Sequence, residues 1–260
     1  MGFFAAIRFL TILPAPFLET GEGDDGGNQL SYFPLVGLVI GLLMVVIYWL
    51  LSFLLPGAVV LGLVIAASAI ISGGLHLDGL ADTFDGLAGY RAAEDRLRIM
   101  RDSRVGAFAV VGVSLVLLLK YVSLTNVPLI LILATLVLMP VLSRWAMVYA
   151  VTAFPYARPT GLGSSFKQGA NWTRFGVATL IALGATLLFT LVTGLVNFYL
   201  VTIAVMLGVW VVTFVMSIYF KSKFSGLTGD SYVAISEITE VAVPLIILIL
   251  VRFGGLAAVR

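Results

Sequence analysis

The chain alternates long apolar runs with short polar breaks, and the lengths of the runs predict its architecture. Seven runs reach or approach the roughly 20 residues that a helix needs to cross a hydrocarbon core. They cover residues 30–55, 57–76, 105–124, 127–153, 172–194, 196–220 and 241–258. The pattern predicts an all-α, polytopic transmembrane helix bundle of about seven spanning helices, forming one integral membrane domain over residues 1–260. Gly2 to Pro16 is apolar except for Arg8 but too short to span, which predicts a short N-terminal interfacial helix. It has no basic region leading to a small-residue cleavage site, and Ala6 stands where a myristoylation signal has Ser or Thr. Glu19 to Asn28, rich in glycine and acid, reads as a flexible polar loop. No internal repeat is visible, so an inverted-repeat transporter is not indicated.

The connections differ sharply. Those near Pro56, Thr125-Asn126 and Gly194 are a few residues long, whereas Asp78 to Arg104, Phe154 to Asn171 and Lys221 to Glu240 are long and polar. Putting the N-terminus and the long loops on one side gives that side 11 of the 15 basic residues, with Lys120, Arg252 and Arg260 on the other and Arg144 inside a span. The positive-inside rule makes the long-loop side cytoplasmic. All 13 acidic residues fall there too, which a polar chamber open to that face accounts for. The sequon Asn171-Trp172-Thr173 lies on the same side and reads as chance.

Composition narrows the chemistry. At 61% hydrophobic and 11% charged the chain is too apolar for a soluble domain. With no cysteine and one histidine, disulfides, thiolate nucleophiles and multi-histidine metal sites are excluded. Carboxylates must carry any metal chemistry. A net charge of +2, with basic residues in membrane-flanking loops, excludes nucleic acid as a partner.

One stretch concentrates the candidate chemistry. Residues 73–86, Gly-Gly-Leu-His-Leu-Asp-Gly-Leu-Ala-Asp-Thr-Phe-Asp-Gly, hold Asp78, Asp82 and Asp85 at i, i+4 and i+7. On a helix these lie within roughly 60° of one face, with His76 opposite. Three anions on one face repel one another, and a hard divalent cation such as Mg²⁺, held through oxygen, is the simplest compensation. The glycines at 73, 74, 79 and 86 read as keeping the backbone open to a large ligand.

Further segments supply cations and a second acidic group. Arg96 to Gly106 is dense in guanidinium groups suited to a diphosphate, with Arg101 and Arg104 the preferred pair, although a positive-inside flank has the same composition. Arg144 lies deep in the fourth span and must face a partner in the bundle, either a structural carboxylate or a substrate phosphate. The loop from Arg158 to Lys167, with Ser164, is a Gly-rich turn flanked by cations that can offer backbone N–H groups to phosphate, without a Walker A triplet. Asp230 reads as the N-cap of a short helix before the seventh span, on which Glu237 and Glu240 form a second acidic face.

Four segments together resemble the cobalamin synthase family of adenosylcobinamide-GDP ribazoletransferases. They are Arg8-Phe9-Leu10-Thr11 with Pro14, the string from His76 to Gly86, Arg101-Asp102-Ser103-Arg104-Val105-Gly106, and Leu227-Thr228-Gly229-Asp230. The His-to-Gly string is the most specific. The resemblance implies a prokaryotic inner-membrane transferase, active on the cytoplasmic face, that joins α-ribazole or its 5′-phosphate to adenosylcobinamide-GDP and releases GMP with Mg²⁺. Asp78, Asp82 and Asp85, with Asp230 or Glu237, would then hold the metal, and Arg101, Arg104 and Lys167 would neutralise the leaving group. Asp85 or Glu237 would take the acceptor proton, with His76 the next choice of base. The string is also similar to CDP-alcohol phosphotransferases, but Ala81-Asp82 stands where those enzymes have Ala-Arg. A divalent cation transporter is the non-enzymatic alternative. The remaining apolar surface is expected to meet membrane lipid or a second copy in a homo-oligomer.

Overall fold

The computed structural model describes residues 2–15, 27–89, 91–193 and 198–253. Within them the elements are helices: α1 (Gly2–Leu10), α2 (Gly27–Leu30), α3 (Phe33–Ser52), α4 (Gly57–Ile71), α5 (Leu75–Leu87), α6 (Ala93–Ile99), α7 (Ala107–Asn126), α8 (Leu129–Ala153), α9 (Leu162–Gly169), α10 (Trp172–Val192), α11 (Phe198–Phe224) and α12 (Gly229–Phe253). By length and composition α3, α7, α8, α10, α11 and α12 can each cross a membrane, and α4 with α5 makes a seventh span if the pair is counted together. Most of the loop expected over Glu19 to Asn28, and the connection at Gly194, lie outside the described residues. Gly27 and Asn28 belong to the single turn of α2 rather than to a loop.

The bundle is built around α8. Apolar on all sides, α8 is the most enclosed of the spans, and α3, α12, α10 and α11 pack against it. Lipid tails are as apolar as leucine, so helices in a membrane associate through close packing of small residues. Gly37 and Gly41 do this for α3, lying so near the backbones of Pro140 and Val137 that a Cβ would not fit. The outward faces of α3, α7, α10 and α11 carry exposed Val, Leu and Phe side chains, as lipid contact requires.

Two of the expected spans differ from the hydropathy pattern. The second does not run straight to residue 76. Gly73 (φ +63°) and Gly74 (φ +72°) adopt the left-handed conformation that ends helices, and α5 leaves α4 at 88°. The seventh begins at Gly229, twelve residues before the expected start, because the carboxylates of its first half find partners inside the bundle. Thr228 caps it, its hydroxyl accepting from Ser231 N–H at 3.1 Å, so Asp230 sits in the first turn and is not the cap. Asn171 of the sequon caps α10 by accepting from Arg174 N–H at 2.9 Å.

The connections expected to be long gather at one end of the bundle, although the one expected over Lys221 to Glu240 shrinks to residues 225–228 because α11 runs to Phe224 and α12 starts at Gly229. Ile12 N–H donates to Ile71 O at 2.8 Å, tying the segment after α1 to the end of α4. Ala157 N–H donates to Leu227 O at 2.7 Å and Leu227 N–H to Pro155 O at 2.8 Å, tying the α8–α9 connection to the start of α12. This end holds the polar chamber.

Candidate active site

The site begins with the two faces of α5. Gly79, Leu80 and Thr83 are buried against the bundle, while Asp78 is exposed and Asp82 half-buried. Gly79 lets α5 approach α12 until a Cβ would collide with Val233 and the Asp230 backbone. The same holds at Gly86, against Met100 and Phe224, so both glycines serve helix packing, and Gly79 also lines the cavity beside Asp78. The close approach brings Asp230 to Asp78 and Asp82, and Asp82 lies within electrostatic reach of both, of Asp85 and of Arg158.

Arg158 is the cation of this group, its Nη2 3.1 Å from Asp230 Oδ2. Its Nε is buried without a hydrogen-bond partner among the described residues, as is the Tyr232 hydroxyl. Both belong to side chains lining a cavity of about 410 Å³, where their donors could meet an acceptor. Asp78, Asp230, Tyr156 and backbone from Gly161, Gly163 and Gly229 line it too. Burial raises the Tyr156 phenol above its ordinary value, so Tyr156 remains a protonated donor.

Asp85 does not join them. Its Oδ2 accepts from Gly106 N–H at 2.6 Å and its Oδ1 from Ala109 N–H at 2.9 Å, placing a carboxylate on the open N-terminus of α7. Gly106 is needed for this, since a Cβ there would strike the carboxylate. At the other end of the connection Arg96 donates to Gly86 O at 2.8 Å and Gly89 O at 2.6 Å, closing the C-terminus of α5. The 96–106 segment thus supplies caps as well as surface cations. Asp85→Ala should lower stability by about 1–2 kcal/mol, as loss of a good cap does, read as an earlier thermal unfolding transition in detergent. An unchanged transition would mean that Asp85 is not a cap.

His76, Glu237 and Arg144 form a separate group inside the bundle. Lys120 Nζ donates to Glu237 Oε2 at 2.7 Å and Glu240 Oε2 at 2.8 Å. Arg144 Nη1 pairs with Glu240 Oε1 and donates to Ser143 Oγ at 2.8 Å. His76 Nδ1 lies 3.4 Å from Arg144 Nη2 and 3.6 Å from Glu237 Oε1. All are buried, and none lines the cavity. Lys120, read as a cation of the far side, belongs here, and the partner of Arg144 is a structural carboxylate.

The remaining expected ligands for phosphate are dispersed. Arg101 is exposed, within electrostatic reach of Tyr156. Arg104 is exposed and held by Asp102, with Nη2 2.6 Å from Oδ2, which keeps the Asp102 carboxyl at about 2. Lys167 Nζ donates to Val151 O at 2.9 Å and Thr152 O at 3.0 Å at the end of α8, and burial lowers its pKa. Ser164 Oγ donates to Gly161 O at 2.6 Å. The sequence reading left Arg8, Tyr156 and Tyr232 out of the candidate site, yet all three line the cavity. The signal for Arg8 was its position as the lone charge in an apolar helix.

The family model described as cobalamin-5-phosphate synthase matches residues 2–248. The chain belongs to this family. Among cobalamin-5-phosphate synthase relatives, the adenosylcobinamide-GDP ribazoletransferase of Geotalea daltonii is 39% identical over 253 residues, covering 97% of this chain and 98% of the relative. Proteins of the same name are 38% identical in Roseiflexus sp., covering 91% of this chain and 85% of the relative, and in Desulforamulus reducens, covering 94% of each. No solved structure gives a significant match.

Proposed function

We propose that the chain joins α-ribazole, or its 5′-phosphate, to adenosylcobinamide-GDP with release of GMP, a closing step of cobalamin biosynthesis. Family membership over nearly the whole chain supports the reaction. The observation that carries the site is the meeting of Asp78, Asp230 and Arg158 at one cavity, with Asp82 within electrostatic reach of all three.

The donor set suits Mg²⁺. Asp78 and Asp82 accept no side-chain hydrogen bond among the described residues, and the three carboxylates outnumber the one guanidinium paired with them. Hard divalent cations take such oxygens. Among the described residues no three such side chains already share a metal-ligand arrangement, and it is the donor chemistry and the excess of negative charge that favour a cation here. Asp78, Asp82 and Asp230 would hold the ion. When bound, Mg²⁺ would neutralise the diphosphate and stabilise charge on the departing phosphate.

The chain's own groups do the rest. An acceptor hydroxyl oxygen forms a bond to the cobinamide-side phosphorus, the bond from that phosphorus to the bridging oxygen breaks, and GMP leaves with that oxygen. Arg158 and Tyr232, with orphaned donors, and Tyr156, a protonated phenol, orient the phosphate oxygens in the cavity. An Asp78 or Asp82 oxygen not used for metal accepts the hydroxyl proton. Asp85, with each oxygen already accepting a backbone N–H, is poorly disposed to that task.

The long loops gather at the end that carries the chamber, and the excess of basic residues in those loops supports a cytoplasmic orientation for that end. The test is GMP release by purified, detergent-solubilised protein. Release should require adenosylcobinamide-GDP, α-ribazole and Mg²⁺ together and stop with chelator. Absence of GMP from folded protein in a supporting lipid would overturn the reading and direct the search to CDP-alcohols, with CMP as the readout.

A further inference from the structure

The cavity has a second half that the phosphate chemistry does not use. Opposite in character to Asp78, Asp230 and Arg158, its lining also includes Phe9 of α1, Phe33 of α3 and Phe166 of α9, with Met147 and Val151 of α8. The three rings come from separate parts of the sequence and meet face to edge and in parallel. Phe9 and Phe166 have centroids 4.6 Å apart, Phe33 and Phe166 5.7 Å, and Phe9 and Phe33 6.2 Å at 17°. A stacked pair, Tyr156 and Tyr232 at 6.3 Å and 25°, lines the same cavity.

The question is which part of the reactants such a wall fits. A volume of about 410 Å³ falls near the lower end of the roughly 300–1,000 Å³ that encloses a drug-sized molecule. A nucleoside fits; a corrin macrocycle with its side chains does not. Two flat bases then compete for the aromatic wall, guanine and the benzimidazole of the acceptor. Guanine carries donors and acceptors on its edges, and phenylalanine and methionine offer them no partner, Arg8 being the polar side chain beside Phe9 in this lining, so burying them there costs free energy. A dimethylbenzimidazole has no exocyclic donor or acceptor and presents methyl groups and a π face, which aromatic rings pack by stacking or edge contact.

We propose that Phe9, Phe33 and Phe166 form the acceptor-base subsite, which holds the benzimidazole of α-ribazole and turns its ribose toward the Asp78 and Asp230 end of the cavity. This rests on the reaction proposed above and adds residues that select the acceptor. The corrinoid donor then presents only its diphosphate to the cavity, and its macrocycle stays outside. The selection is by shape and polarity: a purine riboside, with polar ring edges, is refused by the apolar wall.

The experiment is steady-state kinetics of GMP release with Phe9→Leu and Phe166→Leu, alongside equilibrium dialysis of α-ribazole against each protein without donor. Loss of an aromatic contact should raise the KM for α-ribazole and its dissociation constant about ten-fold, with the KM for adenosylcobinamide-GDP unchanged. Met147→Phe, which adds bulk to the cavity without removing a ring, should weaken acceptor binding in the same direction. Thermal unfolding separates folded variants from unfolded ones, and only folded variants are scored. A rise confined to the KM of the corrinoid donor would assign the wall to the donor and overturn the proposal. So would unchanged constants in all three variants, which would make the wall packing only. If the wild-type protein releases no GMP, the reaction itself has failed, and dialysis still reports whether the apolar base binds at this wall.

Discussion

Replacing Glu240 with alanine is expected to cost about 3–5 kcal/mol of stability, the usual penalty for stranding one half of a buried ion pair. Glu240 is 1% exposed and takes charge from both sides, with Arg144 on Oε1 and Lys120 on Oε2. Two carboxylates and two cations balance in this group, and His76 Nδ1 sits between Arg144 and Glu237. Without Glu240 the guanidinium keeps, among the described residues, its contacts to Ser143 and His76, neither of which carries a compensating negative charge. The loss should appear as an early thermal transition of the detergent-solubilised protein. The double variant Arg144→Met with Glu240→Met removes one charge of each sign, leaves Lys120 on Glu237, and should recover most of it. A single variant as stable as the parent would show that the group is hydrated and that the four charges are not a structural unit.

This group also shows where reading the sequence succeeded and where it stopped. Hydropathy located the spans because every backbone group in a membrane must be satisfied within a helix, which leaves a long apolar run little choice. It misplaced the start of α12 because Asp230, Glu237 and Glu240 look like loop residues until Lys120 and Arg144, from helices distant in sequence, neutralise two of them. The i, i+4, i+7 spacing correctly put Asp78 and Asp82 on the face of α5 opposite His76, since helical phase is local information. That Asp85 turns to the start of α7 instead depends on where α7 begins, a tertiary fact with one local trace, the glycine at 106. The aromatic half of the cavity left no motif, because its rings are contributed singly by α1, α3 and α9.

The second large effect concerns catalysis and should carry the opposite sign for stability. Asp78, Asp82 and Asp230 repel one another across the α5–α12 contact, and Arg158, paired with Asp230, offsets this in part, so the site holds like charges together at the expense of the fold. Asp82→Asn removes one of these charges and keeps the shape. GMP release should fall at least about 100-fold, the scale on which removing one electrostatic group from a preorganised site is felt, while thermal stability without Mg²⁺ should hold or rise. Asp85→Asn should behave the other way, losing stability through the α7 cap and retaining more activity than Asp82→Asn. Added Mg²⁺ should stabilise the parent more than Asp82→Asn, because an ion bound by the folded state shifts unfolding by mass action. Equal losses of activity in the two variants would return Asp85 to the reacting centre, whereas a destabilised Asp82→Asn would assign that carboxylate to the structure and leave Asp78 and Asp230 to hold the ion.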